Sequence, residues 1–264
     1  MNKWTPARIR ALKGKDPFAT VTVFDYTSAL FADRAEFPYL LVGDSLGMTV
    51  LGHRSTLPVT MDVMVHHTAA VMRGVRRAMV VADLPFLSYQ VSEDLAVQNA
   101  GRLLQEAGAD GVKLEGGAER CAIVKRLVQN GIPVTGHIGL TPQSVKSIGY
   151  QVQGKTRAEG ERLKQDALAL QDAGVFSLVI EACPRDLAAE ITASLEIPTI
   201  GIGAGPDCDG QVLVYHDLLG LFPDMKPRFV KQYAQLGDQT LAALKAYQSD
   251  VKSRSFPGPE HSYS

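Results

Sequence analysis

The sequence predicts a (β/α)8 barrel spanning one domain, residues 1–264, with helical extensions at both ends. Three observations carry this expectation. Eight β-rich runs recur along the 264 residues, separated by stretches with helical periodicity. Several of the runs are apolar without alternation. Charged residues recur at the C-terminal ends of runs two to six. Strand–helix alternation implies βαβ crossovers, and eight repeats suggest closure, with an open doubly wound sheet as the alternative.

The first run is Ala19–Tyr26. The second, Tyr39–Leu46, contains Leu40-Leu41-Val42, and the third, Ala78–Pro85, contains Met79-Val80-Val81-Ala82. Continuous apolar runs of this kind fit strands covered on both faces, as in a parallel sheet. Gly111–Gly117, Pro133–Leu140, Ser177–Pro184, Pro198–Gly205 and Gln211–Asp217 follow. Between them, Ser92 is a good N-cap ahead of Glu93-Asp94-Leu95, and Gly108 stops that helix. Thr156–Gly174 reads as the clearest helix, with Leu163, Ala167, Leu168 and Leu170 at helical spacing and Gly174 as its stop. One more helix is expected near Phe229–Val251, then a polar tail, Lys252–Ser264, expected to be poorly ordered.

Composition excludes several function classes. Hydrophobic residues make up 45% and charged residues 21%, and 27 basic against 28 acidic residues leave a net charge of −1. No Lys/Arg run of the kind a nucleic-acid footprint needs is present. The most basic cluster, Arg73, Arg76 and Arg77, reads as a solvated helix face or as an anion site. Three cysteines, Cys121, Cys183 and Cys208, have no C-x-x-C spacing and argue against a disulfide framework or zinc ribbon. No run approaches the roughly 18 apolar residues of a membrane span. No secretory h-region is visible, so a cytoplasmic protein with small-molecule substrates is expected.

In a barrel of this type the active site lies at the C-terminal ends of the strands. Those ends carry Asp44-Ser45, Asp83, Lys113 with Glu115, His137 and Glu181. A lone acid at a strand end is commonly an N-cap; five strands doing the same is harder to dismiss. Carboxylates converging on one partly buried mouth cannot all ionise without compensation. A divalent cation removes the conflict, and oxygen donors suit Mg2+ or Mn2+ better than zinc. Lys113 and Glu115 lie two apart on a strand and share a face. Lys113 is thus either a partner for a substrate carboxylate or part of a Lys–Glu ion pair. His137 is a core histidine or a substrate contact. Glu181 is a fourth ligand or, if poorly solvated, a general base. The turn Gly201–Gly205 is a tight turn or a phosphate loop.

Longer blocks carry a family resemblance. Leu41–Met48, Gly52-His53, Ser55–Thr60, His67–Val71, Ala82–Phe86, Val112–Gly117, Gly136–Ser144, Gly201–Gly205, Asp209–Val214 and the tail Pro257–Ser262 are similar to the ketopantoate hydroxymethyltransferase family. The resemblance covers nearly the whole chain. It departs from the family pattern only near Ser147–Tyr150, which is one residue shorter. It implies a (β/α)8 barrel assembled as a homodecamer. It implies Mg2+ held by Asp44, Asp83 and Glu115, keto-acid contacts from Asp44, Ser45, Asp83, Lys113 and His137, and Glu181 as general base. The implied reaction transfers a hydroxymethyl group from 5,10-methylenetetrahydrofolate to 3-methyl-2-oxobutanoate. It gives 2-dehydropantoate and tetrahydrofolate, the first step of pantothenate synthesis. A metal-dependent lyase or mutase on a related 2-keto acid, using Cys183 at the mouth, is the competing expectation.

Overall fold

A computed structural model describes residues 3–223 and 227–263. Two compact units are present, one ending at Val214 and one beginning at Tyr215. The first unit is a closed barrel of eight parallel strands in sequence order. The strands are β1 (Phe18–Thr22), β2 (Tyr39–Val42), β3 (Met79–Asp83), β4 (Gly111–Glu115), β5 (Val134–Gly139), β6 (Ser177–Glu181), β7 (Thr199–Ile202) and β8 (Gly210–Val214). Closure of β1 on β8, from Phe18 against Gly210 to Thr22 against Val214, rules out the open sheet.

Each expected run holds one strand, and most were drawn too long at the C-terminal end. The run Tyr39–Leu46 is strand only to Val42; Gly43, Asp44 and Ser45 turn into a short helix, Leu46–Thr49. The helix Arg157–Ala173 begins at a Thr156 capping box and ends on Gly174, which is left-handed at φ 106°. Ser92 caps the helix Glu93–Gln105, its hydroxyl accepting from Leu95 N. No described helix is long and apolar enough to cross a membrane.

Alternation along the strands sorts the barrel interior into layers. At the N-terminal end, Ile9 of the short helix Pro6–Arg10 joins Phe18, Tyr39, Met79 and Phe176 in the buried core, with Trp4 and Leu12 against it. The middle holds Leu41, Val81, Val179, Ile200 and Val212. It also holds a polar chain in which Tyr39 Oη, Thr135 Oγ1 and Ser177 Oγ meet at 2.8 Å each. Above these, at the C-terminal end, lie the charged residues.

Asp33 anchors the segment that carries Arg76 and Arg77. Its buried carboxylate accepts from the backbone N–H groups of Arg76 (3.2 Å), Arg77 (2.9 Å) and Ala78 (2.8 Å). The Arg77 guanidinium pairs with Glu36 and donates to the Asp33 carbonyl. The cluster thus enters β3 through a carboxylate staple. Asp33→Ala strands three N–H groups at once, and an unmade bond to a charged acceptor costs about 1.5–3 kcal/mol. Urea unfolding should show a loss of at least about 2 kcal/mol, and a loss below about 0.5 kcal/mol would refute the staple.

The second unit contains a short helix, Tyr215–Leu218, and a longer one, Leu236–Ser253. The longer helix begins at Leu236 and not near Phe229, because the preceding backbone is used elsewhere. Tyr233 N donates to Leu218 O, Leu236 N to Leu219 O and Gly237 N to Gly220 O. The segment expected to be a poorly ordered tail continues that helix to Ser253 and forms a 3-10 turn at Pro259–His261.

Candidate active site

Strand register places the charged residues on one inner ring. Asp83 is opposite Lys113, Glu115 opposite His137, and Gly139 opposite Glu181. Asp44 lies two residues past β2, and its backbone N–H donates to Asp83 Oδ2 at 3.1 Å. Gly43 makes that approach possible. A β-carbon there would fall 2.8 Å from Thr22 Cγ2 and 2.9 Å from Ser45 Oγ. Ser45 is half-buried at the start of the short helix, beside Asp83 across Gly43. Every expected site residue therefore comes to the same mouth.

The electrostatics are lopsided. Asp44, Asp83, Glu115 and Glu181 face one ammonium, and the first three are nearly inaccessible at 3%, 3% and 4% exposure. Lys113 Nζ lies 3.2 Å from Asp83 Oδ1 and 3.2 Å from His137 Nδ1. Burial opposes its charge, yet Asp83, Glu115 and Asp44 hold its pKa above the ordinary lysine value. Lys113 is therefore held as an ammonium in an ion pair, with Asp83 and not with the Glu115 two residues on. Burial, and then the neighbouring Lys113, push His137 well below the usual histidine pKa. Its Nδ1 lies against Lys113 Nζ, and its Nε2 lies 3.2 Å from Glu181 Oε2 without an aligned hydrogen bond. His137 is buried among Lys113, Glu115 and Glu181 at that end of the barrel.

Burial raises Asp44 to about 7, and the nearby Asp83 charge adds to the shift. Burial and Asp44 likewise raise Glu115. Burial alone raises Glu181 to about 7, against a lowering by Lys113. These carboxylates suit a hard divalent cation, and Asp83 Oδ1 is buried without an aligned hydrogen bond. Among the described residues no three His, Cys, Asp or Glu side chains converge into an all-protein metal cage. Oxygen donors of this kind suit an ion such as Mg2+, which takes one or two carboxylates and keeps water or substrate oxygens elsewhere. Asp44, Asp83 and Glu115 are the residues that would hold it.

Cys183 does not behave as a reactive mouth thiol. It is buried, its Sγ donates to the Glu181 carbonyl at 3.5 Å, and burial pushes its pKa up to about 12. It packs behind Gly139, where a β-carbon would run into the Glu181 carbonyl.

Reading strand ends missed the loop that follows β5. Gln143 is buried there and reaches Asp44 and Glu115, and Tyr89, from the loop after β3, supports it. Tyr150, on the same loop, is exposed, and its hydroxyl meets Met48 Sδ at 3.9 Å. Burial raises its phenol pKa, and the Glu181, Asp44 and Glu115 charges raise it further. The segment Ser147–Tyr150, where the chain departs from the family pattern, is thus part of the site's wall.

Comparison with known proteins agrees with this geometry. The family model for ketopantoate hydroxymethyltransferase matches residues 3–259. The chain is 59% identical over 261 residues to 3-methyl-2-oxobutanoate hydroxymethyltransferase of Moorella thermoacetica (strain ATCC 39073 / JCM 9320), covering 98% of this chain and 97% of that protein. It is 54% identical over 263 residues to the protein of the same name from Syntrophus aciditrophicus (strain SB), covering 99% and 97%. Among solved structures, oxaloacetate acetylhydrolase superposes with a TM-score of 0.63 at 13% identity, covering 98% of this chain and 91% of that one. A 2,3-dimethylmalate lyase of the PEP mutase/isocitrate lyase superfamily gives 0.62 at 18%, covering 98% and 88%. At those identities the structural neighbours speak for the fold alone. The sequence relatives go further: the chain belongs to the ketopantoate hydroxymethyltransferase family.

Proposed function

We propose that this enzyme transfers a hydroxymethyl group from 5,10-methylenetetrahydrofolate to 3-methyl-2-oxobutanoate, forming 2-dehydropantoate and tetrahydrofolate. The observation that carries the reading is the ring of Asp44, Asp83, Lys113, Glu115, His137 and Glu181 at one barrel mouth in a chain of this family. Lys113 supplies the charge partner for the keto-acid carboxylate, and Ser45 and Asp83 border the same spot. Glu181, beside His137, takes the proton from C3 of the keto acid. The C3 carbanion then takes the methylene carbon of the folate, forming the new carbon–carbon bond as the two bonds from that carbon to the folate nitrogens break. A water supplies the product hydroxyl, and the two nitrogens leave as N–H, taking one proton from that water and the one removed by Glu181. A bound Mg2+ would polarise the keto group as a Lewis acid. Assembly into a homo-oligomer, and the decamer in particular, belongs to the same proposal and is read by analytical ultracentrifugation.

The test is proton exchange. Incubated in D2O with 3-methyl-2-oxobutanoate, the protein should remove the C3 proton signal with Mg2+ present and not with EDTA. Adding the folate donor should then yield 2-dehydropantoate. Product formation absent under both conditions would sink the reading. The pH dependence has a definite sign. The raised pKa keeps Glu181 protonated, and so unable to accept a proton, on the acid side of about 7. The exchange rate should therefore climb as pH rises from 5 to about 7 and then level. A rate falling across that interval would exclude a carboxylate base.

A further inference from the structure

One buried side chain ties three strand ends together without standing on a strand. Gln143 Nε2 donates to Asp44 Oδ2 at 2.8 Å and to Leu84 O at 2.9 Å. Its Oε1 accepts from Tyr89 Oη at 2.8 Å and from Gln90 Nε2 at 3.2 Å. Its backbone N–H donates to Glu115 Oε2 at 2.9 Å. Tyr89 Oη in turn accepts from Glu115 N at 3.1 Å, and its one proton is shared between Gln143 Oε1 and the Glu115 carbonyl, also at 3.1 Å. The residue is 4% exposed, and both ends of its amide are fully used. The amide cannot flip, because Oε1 would then face two acceptors, Asp44 Oδ2 and Leu84 O.

We propose that Gln143 is a positioning residue for the cation and keto acid. It occupies one oxygen each of Asp44 and Glu115 and leaves Asp44 Oδ1 and Glu115 Oε1 outside its own hydrogen bonds, the latter 3.7 Å from His137 Nδ1. An uncharged donor suits this task. It lowers the cost of burying two carboxylates without supplying a competing cation, so the site keeps the negative charge that draws a divalent ion. Tyr89 and Gln90 fix the direction in which the amide points, and Leu84 O takes its second proton. Groups of this kind, one contact behind the metal ligands, typically change metal affinity by about 10–100-fold when removed.

The inference rests on the metal and keto-acid reading above, so the experiment separates the two. Mn2+ is titrated calorimetrically into full-length wild-type protein, Gln143→Leu and Tyr89→Phe, and melting temperature and the KM for keto acid are measured alongside. Gln143→Leu should weaken Mn2+ by about 10–100-fold and raise KM. Tyr89→Phe, which keeps the ring and removes the oxygen that orients the amide and meets the Glu115 backbone, should shift both in the same direction by less. A purely structural role would lower the melting temperature and leave the Mn2+ affinity of the folded protein unchanged. Wild-type affinity in folded Gln143→Leu overturns the proposal. If that variant does not fold, wild-type affinity in Tyr89→Phe overturns it. Wild-type protein that binds no Mn2+ overturns the metal reading itself, and this inference falls with it.

Discussion

Glu181→Gln should lose C3 proton exchange on 3-methyl-2-oxobutanoate by roughly 10²–10⁴-fold, the usual cost of removing a general base, while still binding keto acid. The substitution is nearly isosteric and removes only the ability to accept a proton. The surroundings support the base assignment. Burial raises the carboxyl to about 7, which places its proton affinity near the working pH. His137 Nε2 sits 3.2 Å from Glu181 Oε2, close enough to take up a proton passing through that carboxyl. At 15% side-chain exposure Glu181 is more accessible than the Asp83 and Glu115 side chains, as a group that must meet substrate should be. NMR in D2O measures the exchange, and calorimetry with the keto acid measures binding. The residual rate of the variant should also lose its dependence on pH between 5 and 7. Exchange at the wild-type rate would remove Glu181 from the role.

The fold was legible because a parallel barrel writes itself locally. Runs such as Met79–Ala82, covered on both faces, have no alternation to confuse, and Thr156 and Gly174 bound their helix by cap chemistry alone. Strand ends were blurred where the chain keeps apolar or small residues after the last ladder bond, as at Gly43–Leu46. The late start of the Leu236 helix was hidden because residues 233–237 bond to backbone at 218–220, a pairing that side-chain periodicity does not record. The ring of charges was legible because strand ends share one direction. Gln143, Tyr89 and Tyr150 were not, because each reaches the mouth from a loop whose path no spacing rule fixes. Their signal lay in composition only: Gln143 is a polar residue in the Gly136–Ser144 block with no exposed face to explain it.

Lys113→Met should be the most disruptive change at the mouth in the metal-free protein. Lys113 is the only formally charged cation within the ring of Asp44, Asp83, Glu115, His137 and Glu181, since His137 is held neutral. Methionine keeps the apolar stem and removes the ammonium. Breaking a buried ion pair from one side typically costs about 3–5 kcal/mol, because the remaining charge is uncompensated. The carboxyls can escape part of that cost by taking up protons, which fixes the sign of the pH dependence. Asp44 and Glu115 already have folded-state pKa values raised above the ordinary range, and losing Lys113 raises them further. Groups with raised folded pKa values stabilise below their unfolded values, near about 4, and lose that contribution as pH rises through the folded value. The variant should therefore be closest to wild type near pH 4–5 and fall furthest behind it above about 7. Mn2+ or Mg2+ should recover part of the loss, because a ligand that binds only the folded state stabilises it by mass action. Keto-acid affinity should stay poor even then, since the cation cannot replace the ammonium's contact with the substrate carboxylate. Thermal melts from pH 4 to 9, with and without Mg2+, measure each part. A stability deficit that shrinks as pH rises would show that Lys113 does not carry the charge balance of this site.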